Sequence, residues 1–449
     1  MGNREPNPAL RALLEETGWS PRRLAEEVNR LGTERRTPTT YTRQAVVHWL
    51  NGHVPAKETR PLIREALARK LGRTVSYTDL GLPPSQDEPN ECADILVELV
   101  ALAGSDMDPQ RRILNAGLFA ATLTIPQWEE IAGRALAVQT DRARRIGLPD
   151  VESVIDATNR VSVMDDERGG RYARPLAASL LVNMVAPYLR ANAPESVRKE
   201  MLSAAADLCY LTGWMAVDEG LHGLAQRYYV KALQLSGAAE DKLTYSTILR
   251  GMSVQAVDLG HGPLAMQLAD TAAASSPDMS HRKRAFLAGQ QAHAAAQNGD
   301  RRAAFARLKE AEKAIEKAES PNRLTGGYDR PALAYHQSQV LFALGDVRGS
   351  VRSLSESQRL RPDSQRRTRI RLNGTLAERK LRLGHLEEAC VTWHRLLDEY
   401  PQIHSGRCDD RISEMLRSIA PHLKRNHTAR ALWERAQAEV PPRLLPPRK

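Results

Sequence analysis

Five glycines recur at nearly constant intervals in the second half of the chain, and this period constrains the fold more than any other feature. They lie 40, 39, 46 and 39 residues apart: Gly220, Gly260, Gly299, Gly345 and Gly384. A small residue follows each glycine after five positions: Ala225, Ala265, Ala304, Ser350 and Ala389. In three units a proline follows twelve residues later: Pro277, Pro362 and Pro401. Glycine at a turn between helices, small residues where helices cross and a terminating proline together predict stacked helical hairpins.

The repeated units resemble tetratricopeptide repeats, whose period is about 34 residues. The unit that fits this pattern best supplies Gly213, Ala225, Tyr229 and Ala232. The longer spacing leaves HEAT-like hairpins as an alternative, and Asn426 with Ala431 indicates a sixth, degenerate copy that caps the array. Because Ala, Leu and Arg dominate and runs of β-branched residues are absent, we predict an all-α chain with an α-solenoid over residues 196–440.

The N-terminal part has a different pattern of four short helices. Apolar residues at helical spacing mark the first, second and fourth of them: Leu10, Leu13 and Leu14; Leu24, Ala25 and Val28; Leu62, Ile63, Ala66, Leu67 and Leu71. In the third, Val46, Trp49 and Leu50 fall at positions i, i+3 and i+4 of one face. Thr42 is predicted to cap this helix through its hydroxyl, and Gly52 to end it.

The outward face of the third helix carries hydrogen-bonding side chains. Arg and Gln are the residues that pair bidentately with guanine and adenine edges in the major groove. A solvated surface helix is the alternative, but the neighbouring helices favour a helix-turn-helix domain that binds double-stranded DNA over residues 1–82. Its candidate DNA contacts are Arg36, Thr42, Arg43, Gln44, Val47 and His48.

Residues 1–82 resemble the Cro/repressor-like, XRE-type family of DNA-binding domains. The resemblance lies in Leu24 with Ala25, in residues 42–49, in Asn51-Gly52 with Pro55, and in residues 66–72. Residues 32–41 form a longer turn than this family has. The longer turn contains Arg35 and Arg36, two cationic side chains able to reach phosphates.

The charge distribution agrees with a nucleic-acid partner. Residues 1–82 contain 14 Lys and Arg against 9 Asp and Glu, so half of the net charge of +10 lies in under a fifth of the chain. Such a concentration favours an acidic polymer as the partner. A membrane surface is the competing partner, but no segment approaches the roughly 18 consecutive apolar residues that a span needs. No membrane partner is therefore expected.

The sequence lacks the motifs of common enzymes and metal sites. No Gly-rich phosphate loop with Lys-Ser/Thr and no Gly-x-Ser-x-Gly motif is present. His222 and His261 are interpreted as turn residues, since no Cys or acidic ligand stands at a fixed spacing from them. The four cysteines are scattered, and the polar N-terminus has no signal-peptide pattern. We therefore predict a cytoplasmic protein that is not an enzyme and needs neither a metal nor a cofactor.

Composition divides the chain further. Residues 82–90 contain three prolines, so an extended linker is predicted over 83–92. Residues 93–195 are predicted to be a helical connector that begins the second domain, and 441–449 a disordered tail. Within the connector, residues 165–171 contain Gly169-Gly170 and are predicted to be a loop, on which Asp165-Asp166-Glu167 forms a solvated acidic run.

An array of this kind forms a curved trough lined by the first helix of each hairpin. The predicted inner wall consists of Tyr210, Trp214, Arg250, His293, Tyr335, Gln339, Arg371 and Glu378. Aromatic and basic residues together suit a peptide or an acidic amphiphile as an effector. The alternative is that Tyr210 and Trp214 pack between repeats and that the charges are solvated.

The combination of these two parts is similar to the one-component regulators of Gram-positive bacteria. The excess of Arg over Lys suits a high-GC genome, and the resemblance extends to actinobacterial developmental and antibiotic regulators. It implies a sequence-specific transcriptional regulator that is a homodimer through its repeats and senses a peptide, small-molecule or protein effector. The alternative is a scaffold that binds a protein partner and does not bind DNA sequence-specifically.

Overall fold

The computed structural model describes residues 5–35, 37–83, 95–108, 118–132, 141–276, 279–318 and 328–445. Two short strands, Asp141–Arg145 (β1) and Ala191–Asn192 (β2), pair in parallel, and the other regular elements of the described chain are helical. The predicted all-α class is confirmed. None of the helices in these ranges has both the length and the apolar character that crossing a bilayer requires.

Four short helices pack around one apolar core in residues 5–83, which we call the N-terminal domain. They are α1 (Pro8–Thr17), α2 (Pro21–Glu34), α3 (Arg43–Leu50) and α4 (Arg60–Leu71). The first two begin at side-chain caps, where Asn7 accepts from the amide of Leu10 and Ser20 from the amide of Arg23. Every apolar residue that the sequence assigns to the inner stripes is buried or half-buried.

The long turn between α2 and α3 is held by one asparagine. The Asn29 side-chain amide donates to the Tyr41 carbonyl at 2.8 Å, and its oxygen accepts from the Tyr41 amide at 2.7 Å and from the Thr39 hydroxyl at 3.0 Å. The Thr39 hydroxyl lies 2.7 Å from where a Cβ on Gly32 would stand, so the turn packs directly on the backbone of α2. These contacts fix α3 relative to α2 despite the length of the turn.

The connector packs against the start of the repeats in one continuous core. Its helices are α5 (Ile95–Met107), α6 (Trp128–Ile131), α7 (Leu148–Arg168), α8 (Gly170–Leu180) and α9 (Ala186–Arg190), with a π-helical turn at Leu181–Val185. The prediction of a loop over residues 165–171 was wrong, because α7 continues to Arg168. The helical conformation is interrupted only at Gly169, which has φ +92°.

Six helical hairpins follow and stack into an α-solenoid. They are α10 (Glu195–Asp218) with α11 (His222–Ala238), α12 (Lys242–Asp258) with α13 (Gly262–Ala274), α14 (His281–Gln297) with α15 (Arg301–Glu316), α16 (Arg330–Ala343) with α17 (Val347–Arg359), α18 (Arg366–Arg382) with α19 (Leu386–Glu399), and α20 (Gly406–Ile419) with α21 (His427–Glu439). Short 3₁₀ turns occupy Tyr400–Gln402, Ala420–His422 and Pro442–Leu444. The last turn lies in the predicted tail, where Arg443 pairs with Asp409 at 3.2 Å.

The glycine period corresponds to the turns within the hairpins. All five repeat glycines have φ between 74° and 88°, the left-handed conformation that glycine adopts without a Cβ penalty. The small residue five positions later is fully buried in every unit. The sixth hairpin differs: Asn426 caps α21 by accepting from the amide of Ala429, and Ala429 is buried, whereas Ala431 is exposed. The register predicted for Ala431 was therefore wrong.

The solenoid closes on itself, because its last repeats return to the connector. The buried Arg367 of α18 lies 2.9 Å from Asp165, 3.1 Å from Asp166 and 3.4 Å from Asp218. The backbone amide of His404 donates to the carbonyl of Arg168 at 2.7 Å. Asp165 is thus buried in an ion-pair cluster, and the prediction of a solvated acidic run was wrong at this residue. Burial raises the pKa of the Asp165 carboxyl, although Arg367 opposes this shift.

Residues 118–123, the bridging segment, join the N-terminal domain to the solenoid. The Phe119 ring is buried in the connector and repeat core and stacks on His261 with centroids 5.0 Å apart. The neighbouring Leu118 packs against the core of the N-terminal domain. The backbone of Ala120 exchanges two hydrogen bonds with the side chain of Gln226, at 2.7 and 2.9 Å. The segment therefore contacts both parts of the molecule at once.

Candidate functional site

The third helix has the two faces that its sequence predicts. Val46, Trp49 and Leu50 are buried in the N-terminal domain. The side chains predicted to contact DNA lie on the other side: Arg43, Gln44 and His48 are exposed and Val47 is half-buried. The His48 ring stacks on that of His53, with centroids 5.3 Å apart. The exposed face therefore presents a guanidinium, an amide and two imidazoles to solvent.

The other two predicted DNA contacts are Thr42 and Arg36. Thr42 is exposed at the N-cap position of α3, but its side chain accepts no capping hydrogen bond, so the predicted cap was wrong. Contacts of the preceding residue, Tyr41, position the helix instead. The Tyr41 carbonyl accepts from the Asn29 side chain, and the hydroxyls of Tyr41 and Thr59 form a hydrogen bond of 2.6 Å. Arg36 lies outside the described residues.

A cavity of about 680 Å³ lies where the solenoid closes. Most of its wall is formed by first helices of the hairpins, as the sequence predicts. Five of the eight residues predicted for the inner wall line it: His293, Tyr335, Gln339, Arg371 and Glu378. Glu34 of the N-terminal domain also contributes to the wall. The cavity therefore brings the repeats and the N-terminal domain together.

The other three predicted residues are not in the cavity wall and make packing contacts. Tyr210 stacks on Tyr229 with ring centroids 5.7 Å apart, and burial raises the pKa of its hydroxyl. The guanidinium of Arg250 lies 4.2 Å from the centroid of Phe286. The guanidinium of Arg407 lies 5.4 Å from the ring of Trp214. Packing between elements is therefore the role that these contacts give Tyr210, Trp214 and Arg250.

Several residues of the wall were not predicted from the sequence. They are mostly charged or aromatic: Glu34, Asp258, Phe342, Arg379, Arg407 and Arg411. On α18 the spacing of Arg371, Thr375, Glu378 and Arg382 carries a usable signal, because steps of three and four residues place side chains on one helical face. Arg407 and Arg411 belong to the sixth hairpin, for which no inner wall was predicted.

The carboxylates of the wall already have basic partners. Glu378 pairs with Arg411 at 2.8 Å, and Asp258 pairs with Arg407. Glu414 pairs with Arg417 at 2.9 Å. Asp258, Glu378 and Glu414 are consequently neutralised by arginines of the protein itself.

Glu34 belongs to the contact between the two domains. It pairs with Arg69 of α4 at 2.7 Å, and Arg69 also pairs with Glu65 at 2.6 Å and donates to the Phe119 carbonyl at 2.9 Å. Burial opposes ionisation of Glu34, but the hydrogen bond and charge of Arg69 outweigh it and lower the pKa of that carboxyl. This ion-pair network connects the cavity wall to the bridging segment.

Burial in the cavity also changes the ionisation of its imidazole and guanidinium groups. Desolvation lowers the pKa of His293 to about 4, so this ring is neutral at neutral pH. Desolvation and the nearby Arg407 lower the pKa of Arg371, and desolvation lowers that of Arg379 to about 10. Both guanidinium groups remain charged at neutral pH.

No cluster of His, Cys, Asp and Glu suited to a metal ion occurs among the described residues. His222 begins α11, where its carbonyl accepts from the Gln255 amide at 2.9 Å, and His261 lies at the start of α13. Both stand at turns, as predicted. Cys209, Cys390 and Cys408 are buried free thiols, and Cys92 lies outside the described residues.

Comparison with known proteins gives one partial match. The model of a family described as the SP15 N-terminal domain matches residues 10–83. The chain is similar to that family over the four helices of the N-terminal domain and their connections. No curated protein matches the chain.

Proposed function

We propose that this protein is a sequence-specific DNA-binding transcriptional regulator in which α3 contacts base edges and the solenoid senses an effector. The exposed face of α3 is the observation that carries this proposal. A buried apolar face anchors the helix, and Arg43, Gln44 and His48 are free to enter a major groove. The excess of basic residues in this part of the chain supports the same partner.

The proposal predicts that base recognition depends on Gln44. Gln44→Ala should weaken binding to the preferred sequence by about 1–3 kcal/mol and relax specificity at one base position, because the bidentate contact to one base is lost. The preferred sequence is first obtained by sequencing genomic fragments that the protein retains. Competition binding at fixed salt then compares specific and random DNA. Gln402→Ala, which removes another exposed amide, serves as the matched control. Equal losses on both kinds of DNA would contradict base recognition.

A scaffold that only binds a protein partner is the competing function. A DNA-binding regulator neutralises several phosphates, so its affinity falls steeply as salt concentration rises. A scaffold shows no preferred DNA sequence, and any residual binding is equal for all sequences. The genomic-fragment experiment therefore decides between these two functions.

We further propose that the protein is a homodimer through the C-terminal region, the connector and solenoid that follow the N-terminal domain. Two copies of a small DNA-binding domain give the specificity that one copy lacks. Among the described residues of the N-terminal domain, Val54 is the only large apolar residue whose side chain is exposed. The connector exposes five on α7 and α8: Leu148, Ile155, Val163, Tyr172 and Leu176. Exposed apolar side chains of this kind suit contact with a second copy.

Sedimentation of the full chain and of residues 90–449 tests this assembly. Both are expected to sediment as dimers at micromolar concentration. Val163→Glu places a charge on the exposed apolar surface and should shift the full chain towards monomer. Val54→Glu is the matched control, because Val54 is similarly exposed on the N-terminal domain. A monomeric wild-type chain would contradict the proposal.

A further inference from the structure

Two arginines of the cavity wall, Arg371 and Arg379, have no carboxylate of the described residues at ion-pair distance. The carboxylates that attract them, Asp258 and Asp218 for Arg371 and Glu378 for Arg379, pair with Arg407, Arg367 and Arg411. Arg371 lines the cavity half-buried, and its guanidinium makes no hydrogen bond or ion pair with any described residue. Arg379 donates only to neutral groups, the carbonyl and hydroxyl of Ser338, the hydroxyl of Ser350 and the amide oxygen of Gln339. A buried guanidinium without an anionic partner is costly, because its desolvation is not offset. The cavity therefore favours an occupant that carries negative charge.

A second hydrogen-bond donor in the cavity wall, the Tyr335 hydroxyl, is oriented by a series of hydrogen bonds. Arg379 donates to the Gln339 oxygen, and this bond fixes which end of the Gln339 amide faces Arg379. The amide nitrogen of Gln339 then donates to the Tyr335 hydroxyl oxygen at 2.7 Å. The hydroxyl hydrogen of Tyr335 consequently has to point elsewhere, and no acceptor for it lies among the described residues. Tyr335 thus presents a free O–H in the wall that also contains Arg371.

We propose that the cavity binds a small organic anion whose carboxylate or phosphate group is held by Arg371 and by the hydroxyl of Tyr335. A guanidinium and a hydroxyl donor form charge-assisted hydrogen bonds with such a group. This inference rests on the proposed function in one respect, because it gives the chemical class of the effector that the solenoid senses.

The other residues of the cavity wall indicate the size and polarity of the rest of the ligand. Val217, Val257, Leu259 and Leu372 add apolar surface. The guanidinium groups of Arg379 and Arg382 lie 4.2 and 4.9 Å from the centroid of the Phe342 ring. A volume of about 680 Å³ lies in the usual range of cavities for small molecules. An anion with an apolar or aromatic body therefore matches the cavity in charge, surface and size.

Pairs of probes with the same apolar body, with and without the anionic group, test the proposal on the full chain without DNA. 4-Phenylbutyrate is compared with 4-phenylbutanamide, and phenyl phosphate with phenol, by ligand-observed NMR titration at constant ionic strength. At least one anion should bind about tenfold more tightly than its neutral partner, the effect of a charge-assisted contact. Arg371→Gln should abolish this preference, Arg371→Lys should retain part of it, and Tyr335→Phe should reduce it several-fold.

Arg348→Gln is the control, because it removes an exposed guanidinium of α17 that lies outside the cavity wall. It should leave the preference unchanged. Since the Arg371 side chain makes no hydrogen bond or ion pair with the described residues, circular dichroism of Arg371→Gln should match the wild type, and Tyr335→Phe provides a second measurement. Equal binding of charged and neutral probes, no saturable binding of either anion at millimolar concentration, or a preference that survives Arg371→Gln would overturn the proposal. Failure here leaves the DNA-binding result untouched, so the two proposals fail separately.

Discussion

Arg367→Ala is expected to destabilise the closed solenoid by about 3–5 kcal/mol, the usual cost of removing one partner of a buried ion pair. The substitution leaves Asp165 and Asp218 facing one another, both almost completely buried, without the guanidinium that neutralises them. Because Arg367 connects α18 to α7 and α10, the loss falls on the contact that closes the solenoid. Urea unfolding of the full chain, followed by far-UV circular dichroism, measures the change in the solenoid transition.

Two further variants separate loss of closure from a general loss of stability. Arg352→Ala removes an exposed guanidinium of α17 and should change stability by no more than about 0.5 kcal/mol. Adding Asp165→Asn to Arg367→Ala removes one of the carboxylates left without a partner, so part of the lost stability should return. Amide exchange at His404, whose N–H bonds to Arg168, should rise in Arg367→Ala. Stability within 1 kcal/mol of the wild type would show that Arg367 does not hold the closure.

What could be predicted from the sequence is what depends on neighbours along the chain. The turn glycines, the buried residues five positions later and the apolar stripes of the N-terminal helices all follow from local periodicity. The closure could not be predicted, because Asp165 and Arg367 are brought together only by the accumulated curvature of the repeats. An acidic run on a helix looks the same in sequence whether water or a distant arginine neutralises it.

Part of the cavity wall could be predicted from the sequence for the same reason. Assigning first helices to the inner wall placed Tyr335, Gln339 and Arg371 correctly, because these follow from the repeat register. Tyr210 and Arg250 belong to first helices too, but Tyr210 stacks on the next helix and covers Gly251. No pattern in the neighbouring sequence predicts the free O–H of Tyr335 or the position of Glu34 in the cavity wall. Both depend on side-chain geometry or on the contact between the domains.

Phe119→Ala is expected to release the N-terminal domain from the solenoid. Truncating a buried aromatic ring costs about 3–5 kcal/mol, and here the ring is the apolar anchor of the bridging segment. The hydrogen bonds of Ala120 to Gln226 and of Ala121 to Glu65 depend on that anchor. Amide exchange at Ala120 and Ala121 should therefore accelerate by about two to three powers of ten. Phe305→Ala, at an exposed ring of α15, is the matched control.

The same substitution tests whether the contact between domains carries the proposed regulation. An effector alters DNA binding only if it has different affinities for two arrangements of the molecule. Glu34 lies in the cavity wall and pairs with Arg69, which in turn donates to the Phe119 carbonyl, so an occupied cavity adjoins the contact between the N-terminal domain and the bridging segment. In Phe119→Ala the domain should still bind its DNA, since α3 and its core are intact, but an anion in the cavity should no longer change that affinity. If the anion alters DNA binding equally in Phe119→Ala and the wild type, the coupling does not pass through the bridging segment, and the proposed dimer would have to transmit it through the distance between its two N-terminal domains.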